Sequence, residues 1–565
     1  MDYLQLLAGS LAEYIGMDAA ETAGMLETPP NPEMGDYALP CFKLARTLRK
    51  APPMIAADIK DNCAFPDFVD RVEVAGGYLN FFIKKTAFAE TTLKSVLEAG
   101  ESYGSSKEGE GKTVVLDYSS INIAKPFHIG HLSTTAIGNS LYRIYQFLGY
   151  TCVGVNHLGD WGTQFGKLIS AYKRWGNDDE IEKSSIHAML ALYVKFHEEA
   201  EKNPALNDEG RAWFKKIEEG DEEALAIFNR FKEMTLKEVG RVYDMLGIKF
   251  DSYAGESFYN DKMQPVIDEL FEKKLLEESD GAYVVRMDEE NLPPAIILKS
   301  DGTTIYATRD LAAAFYRKNT YDFHKCLYVV AYQQNLHFKQ IFKVIEKMGY
   351  EWYKDMEHVN FGMVSLTDGT LSTRKGKVVF LEDVLNKSIE KCAKLIEEKS
   401  PNLPDKEQVA KDIGVGAVVF SVLSNNRIKD IVFDFDRVLN FDGETGPYVQ
   451  YTNARARSLM RKAADTYDAE ARDYSALDND EAFAVLRLLS DFPEAVGKAM
   501  QKNEPSIITR HVIQLAQTFN HFYYDHRVID EDAAKTAARL DLAKATAIVL
   551  KTGLSLLGIN APERM

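Results

Sequence analysis

The chain has 565 residues, 45% hydrophobic and 27% charged, with a formal net charge of −18. That is material for about three or four globular domains with real cores. No stretch approaches the roughly 18 apolar residues of a bilayer span, and no basic leader precedes the first apolar residues, so a cytoplasmic protein without a membrane segment is expected. The acidic balance argues against a uniformly basic nucleic-acid binder, so contact with RNA must use local cationic patches. Cys41, Cys63, Cys152, Cys326 and Cys392 form no C-x-x-C pair, which points to neither a zinc site nor a disulfide framework.

From the amino end, residues 1 to about 98 mix helical stretches with a strand-like finish at Gly77-Tyr78-Leu79-Asn80-Phe81-Phe82-Ile83. Lys43, Arg46 and Lys50 are predicted on one helical face with Arg49 beside them, either a solvated face or a patch for RNA. Gly100 to Lys112 reads as a linker. Thr113-Val114-Val115-Leu116 then predicts a buried strand, Leu132, Ile137, Leu141, Ile144 and Leu148 recur at helical spacing, and Val153 and Val155 resume a strand. His128-Ile129-Gly130-His131 therefore opens the helix of a βαβ unit. A helix start offers free N–H groups and partial positive charge, where histidines can donate to phosphate oxygens and Gly130 lets a ligand approach the backbone.

Farther on, Lys325-Cys326-Leu327-Tyr328-Val329-Val330 predicts a strand, Leu336 to Met348 a helix, and His358 to Ser365 another strand. Two βαβ halves imply a doubly wound parallel sheet. The stretch between them, about 170 to 300, reads as a charged helical insertion with short strands near Tyr283-Val284-Val285 and Ala295-Ile296-Ile297-Leu298. From about 405 the chain is helical to its end, and Val512, Leu515, Phe519 and Phe522 form a stripe expected in a bundle core. Arg455, Arg457, Arg461 and Lys462 make a basic stretch. Tyr523 and Tyr524, expected to be exposed, mix with His526 and Arg527 in a way suited to stacking on unpaired bases.

The chain resembles the class I aminoacyl-tRNA synthetases, and within them the arginyl-tRNA synthetase family. The residues that carry this are the His128-to-His131 signature with Ser119-Ser120 and Asn122-Ile123-Ala124-Lys125-Pro126, the run from Asn156 to Gly166, Tyr306 with Thr308-Arg309-Asp310, Gln333-Gln334, and Val449-Gln450-Tyr451. The resemblance implies an α/β fold: a Rossmann-like catalytic domain with helical insertions at 106–405, an α+β N-terminal domain at 1–105 touching the outer corner of tRNA, and an all-α anticodon-binding bundle at 406–565. It implies ATP-dependent activation of L-arginine and transfer to tRNA(Arg). ATP would enter with Mg²⁺, with no zinc and no tightly bound cofactor, and a monomer is expected.

A guanidinium is matched by carboxylates and other acceptors. By the family pattern Tyr306 and Asp310 take the guanidinium, while Ser120, Asn122, His131 and Gln334 line the remaining contacts. Asp117 stands where the family usually has Glu, and Ile121 where it commonly has Pro; the shorter Asp117 suggests a water-mediated contact. His128, Gly130 and His131 are implied at ATP. The family's second signature, Lys-Met-Ser-Lys-Ser, corresponds to Thr370 through Val379, which keeps Ser372, Lys375 and Gly376, adds Arg374, and lacks both loop lysines in register. Lys125 and Lys375 are therefore expected to supply catalytic cations. The residues expected to meet tRNA are Lys43, Arg46, Lys50, Arg455, Arg457 and Tyr523.

Overall fold

The expected strand at Thr113–Asp117 buries Val114, Val115 and Leu116 completely, as a parallel strand covered on both faces does. The computed structural model describes residues 3–29, 31–123, 127–299, 303–366, 379–464, 467–468 and 470–565. Thr113–Asp117 pairs in parallel with Thr151–Val155 on one side and Lys325–Tyr328 on the other, and Met356–His358 extends the sheet beyond Lys325–Tyr328. Helices Leu132–Phe147 and Asn335–Lys347 make the crossovers. Strand order reverses between Thr113–Asp117 and Lys325–Tyr328, and a crevice at the carboxyl ends is the usual ligand site of such a sheet.

The predicted strand at His358 to Ser365 is corrected. It divides into Met356–His358, in the main sheet, and Val364–Leu366, which pairs in parallel with Ile431–Phe433. Gly362 lies between them, packed so closely on the backbone of Lys429 that an added Cβ would stand 2.4 Å from it. The stretch from about 170 to 300 holds the long helices Asp178–Lys202, Ala205–Glu218 and Glu222–Leu246 and ends in a three-stranded antiparallel sheet of Glu277–Ser279, Ala282–Val285 and Ala295–Lys299.

The chain divides into two compact units, and the crevice belongs to the one made of Gly104–Ala454, Phe492–Ile513 and Leu550–Met565. The other comprises Met1–Tyr103, Arg455–Asp491 and Gln514–Val549. Its amino-terminal part holds an antiparallel sheet in which Tyr78–Ile83 is central between Tyr37–Pro40 and Val69–Ala75, over a core including Leu7, Leu11, Leu39, Ile59 and Phe81. The single basic helical face is also corrected. Cys41–Leu44 is a 3₁₀ turn, Ala45–Leu48 one turn of α-helix, and Arg49 ends it in the left-handed region at φ 51°, before a separate helix Pro52–Asn62. Phe519 and Phe522 are fully buried, whereas Tyr523 is 37% and Tyr524 89% exposed.

Candidate active site

The strand Thr113–Asp117 delivers the chain to Ser119 and Ser120, both in the left-handed region at φ 68° and 40°. Non-glycine residues there cost on the order of 1–3 kcal/mol each and persist where the surroundings over-determine them. Thr134 Oγ1 accepts the Ser119 N–H at 3.0 Å, the Ser119 hydroxyl lies 2.8 Å from both Thr135 and Tyr243 hydroxyls, and Ser120 Oγ donates to Asp117 Oδ1 at 2.5 Å. Ser120 is thereby turned toward a cavity of about 560 Å³, whose lining includes His128, Gly130, His131, Gln333 and Ser365.

The two histidines are fixed by their own backbone. Ile129–His131 is a 3₁₀ turn that leads directly into helix Leu132–Phe147. The Gly130 N–H donates to His128 Nδ1 at 3.1 Å, the His128 N–H donates to His131 Nδ1 at 3.2 Å, and the rings lie 3.9 Å apart. A neutral imidazole that accepts at Nδ1 carries its proton on Nε2. Both rings are thus set to act as Nε2–H donors.

Lys125, Ser372, Lys375 and Gly376 lie outside the described residues, as do Thr373 and Arg374. The flanks of the second signature do reach the cavity: Ser365 lines it, Val379 accepts the Ile129 N–H at 3.1 Å, and Phe380 bridges His128.

A network of charges lies along the helix Tyr306–Tyr321 and its neighbours. Arg317, 1% exposed, donates through Nη2 to Asp117 Oδ2 at 2.7 Å. Burial alone would lower the Arg317 pKa, but the Asp117 charge holds it well above the ordinary value. Asp310 Oδ2 lies 2.6 Å from His337 Nε2 and Oδ1 lies 3.9 Å from His157 Nε2. Burial pushes the Asp310 carboxyl up, yet the His337 hydrogen bond and the surrounding His337, His157 and Arg317 charges leave it below the usual range. His157 is pushed down by burial. Glu256 behaves oppositely: burial first, then the Asp310 and Asp160 charges, raise it to about 7 against the pull of Arg309, and its Oε2 is buried without a hydrogen-bond partner. Its charge is felt at Tyr306, which opens the helix and is 64% exposed.

The expected arginine residues are therefore only partly drawn together. Ser120 and His131 line the cavity, Asp117 braces Ser120, and Asn122 is held against Gly159, where an added Cβ would approach Asn122 Cα to 3.1 Å. Gln333 lines the cavity, while its neighbour Gln334 is exposed at the end of the 3₁₀ turn Tyr332–Gln334. Arg317, His337 and Glu256 were not anticipated. Arg317 had a legible signal, since it stands seven residues after Asp310 and so on the same helical face. Glu256 had none, because it comes from a distant 3₁₀ turn, Glu256–Tyr259.

Among the residues expected at tRNA, Lys43 pairs with Glu27 and Lys50 with Asp58, both at 2.8 Å, and Arg46 is exposed. The Arg455 guanidinium lies 5.1 Å from the Tyr523 ring centre and donates to Asn520, and Arg457 Nε is buried without a hydrogen-bond partner. Among the described residues no cluster of three or more His, Cys, Asp or Glu is placed to hold a metal ion, and no helix is long and apolar enough to cross a membrane.

Three family models match most of the chain: an arginyl tRNA synthetase N terminal domain at residues 2–83, the catalytic domain of class I (R) tRNA synthetases at 92–435, and a DALR anticodon binding domain at 449–565. The chain is 54% identical to an arginine–tRNA ligase of Alkaliphilus metalliredigens and 55% identical to one of Clostridium perfringens, with 100% of both chains covered in each comparison. Its fold is similar to the arginyl-tRNA synthetase of Thermus thermophilus, with a TM-score of 0.80, 26% identity and 99% of each chain covered.

Proposed function

The chain belongs to the arginine–tRNA ligase family, and on that premise we propose which of its residues perform the ligation. It activates L-arginine with ATP and joins it to tRNA(Arg). The arginine carboxylate attacks the α-phosphorus, the bond to pyrophosphate breaks, and arginyl-adenylate forms. The terminal ribose 2′-hydroxyl of tRNA then attacks the arginyl carbonyl, and AMP leaves. Such chemistry needs position and a fixed field rather than a protein nucleophile.

The observation that carries the site assignment is the pair of backbone-locked histidines at the cavity. His128 and His131 would donate Nε2–H to phosphate oxygens as charge develops, with Gly130 giving the nucleotide close access to the helix start. ATP would arrive as its magnesium complex, and Ser372, Lys375 and Gly376 would meet its phosphates. Lys125, three residues before His128, would provide a cation that the second signature lacks.

Arginine would place its guanidinium against Asp310, Tyr306 and the unpartnered oxygen of Glu256. Asn122, Ser120, His131, Asp117 and Gln334 would serve its α-amino and carboxylate end; Asp117 retains lone pairs beyond those used by Ser120 and Arg317. We assign 1–105 to the tRNA outer corner, 106–405 to catalysis and 406–565 to the anticodon, with Lys43, Arg46, Lys50, Arg455, Arg457 and Tyr523 as RNA contacts. The reading is of a cytoplasmic monomer that needs no zinc.

The decisive experiment is ATP–pyrophosphate exchange across the amino acids, with and without tRNA. Exchange should be specific for arginine and negligible without tRNA(Arg). Robust exchange by the RNA-free enzyme would remove the tRNA requirement, and exchange with another amino acid would remove the pocket assignment.

A further inference from the structure

Several polar groups behind the nucleotide cavity converge on one cation. Arg427 lies beyond helix Lys406–Leu423. Its Nη1 donates to the carbonyl of Asn360 at 2.9 Å and to Asn360 Oδ1 at 3.1 Å, and its Nε donates to the carbonyl of Asn503 at 3.1 Å. The Arg427 N–H faces the Glu504 carboxylate at 3.3 and 3.4 Å, and the Arg427 carbonyl accepts the Gly362 N–H at 2.8 Å. Three residues on, Asp430 Oδ1 accepts the Met363 N–H at 2.7 Å. Phe361, Met363, Val364 and Ser365 are one wall of the cavity.

The contacts continue on both sides. Asn360 Nδ2 donates at 3.1 Å to Asn335 Oδ1, at the start of the helix that follows the cavity-lining Gln333. Asn503 is fully buried in the left-handed region at φ 48°, accepts from the Tyr145 hydroxyl at 2.9 Å, and donates to Glu357 Oε1 at 2.8 Å. The carbonyl to which Arg427 Nε donates therefore sits on a fixed anchor.

We propose that Arg427 is a positioning residue for adenylate formation, fastening the Phe361–Ser365 wall of the nucleotide cavity, and through Asn360 the helix start behind Gln333, to the Asn503–Glu504 turn. Its guanidinium bridges wall and anchor beside the bonds that its own carbonyl makes to Gly362 and its own N–H to Glu504, and those two survive substitution. Small misplacements of binding groups are amplified in rate and affinity, so the wall should shift without the fold being lost.

The proposal rests on the cavity being the nucleotide site, and the test separates the two. Arg427→Ala and Arg427→Lys would be assayed by pyrophosphate exchange at saturating tRNA(Arg), with His128→Ala as control. Arg427→Ala should raise the ATP KM about tenfold while the arginine KM stays within about twofold, a split that general destabilisation does not produce. A lysine reaches one carbonyl but not both, so Arg427→Lys should give an intermediate rise. An unchanged ATP KM in either variant, or equal rises in both KM values, overturns the role of Arg427. Undiminished exchange by His128→Ala would instead overturn the cavity assignment.

Discussion

The two halves of the proposed active site are built on different physics. At the end proposed for the nucleotide, His128 and His131 are oriented as Nε2–H donors by backbone N–H groups within three residues of themselves, so local chain geometry suffices. At the end proposed for the amino acid, Asp117, His337 and Glu256 come from separate segments and meet Asp310 and Arg317 of one helix, the groups fixing one another through charge. A phosphate meets a site that a helix start can supply by itself, whereas a guanidinium needs acidic groups whose burial must be offset by partners. The first end should therefore break in rate, and the second in stability, affinity and pH dependence.

Arg317 gives the largest expected effect. Arg317→Met leaves the Asp117 carboxylate buried without its cation, and breaking a buried pair from one side costs about 3–5 kcal/mol. Denaturant unfolding followed beside wild type should show that loss, and a variant with the wild-type midpoint would mean the charges at this end do not brace it. His128→Ala is the counterpart at the other end. Removing one preorganised donor costs on the order of 10²–10³ in rate, so kcat for pyrophosphate exchange should collapse with little change in arginine KM. A rise in arginine KM alone would erase the distinction between the two ends.

Asp310→Asn keeps the shape but removes the charge. Charge-assisted hydrogen bonds contribute about 1.5–3 kcal/mol, so arginine KM should rise about tenfold or more. An unchanged KM with a reduced kcat would place Asp310 elsewhere in the mechanism.

The smallest effect is a slope. The Glu256 carboxyl titrates near 7 in the folded protein, raised by burial, and a bound guanidinium favours its ionised form. With Glu256 in the guanidinium site as proposed, arginine would meet an existing carboxylate above 7, whereas below 7 each binding event would release a proton, so affinity should fall by up to about tenfold per pH unit. Without arginine, the folded state holds a proton that the unfolded chain has lost between the usual carboxylate range and 7, so the Glu256 contribution to stability declines as pH rises through that window. Glu256→Gln should flatten both slopes. Titration calorimetry of arginine in two buffers of different ionisation heat reads the proton release directly, and its absence at pH 6 would remove Glu256 from the guanidinium site.

Sequence by itself determined the parallel-sheet core, because Val114, Val115 and Leu116 are an uninterrupted apolar run and Leu132 to Leu148 keeps the helical period. It also determined the histidine pair, whose hydrogen bonds are local. The buried Phe519 and Phe522 beside the exposed Tyr523 and Tyr524 follow from the same periodicity. Tertiary structure decided what depends on distant neighbours. The left-handed Arg49 ends the helical turn that the basic residues were to share, Lys43 and Lys50 pair with Glu27 and Asp58, and one predicted strand is divided between two sheets. It likewise raised Glu256 and held Asp310 down, because the proton affinity of a carboxyl is set by burial and by charges that arrive from elsewhere in the chain. Hydrophobic period is written along the chain, but an electrostatic environment exists only once remote segments have met.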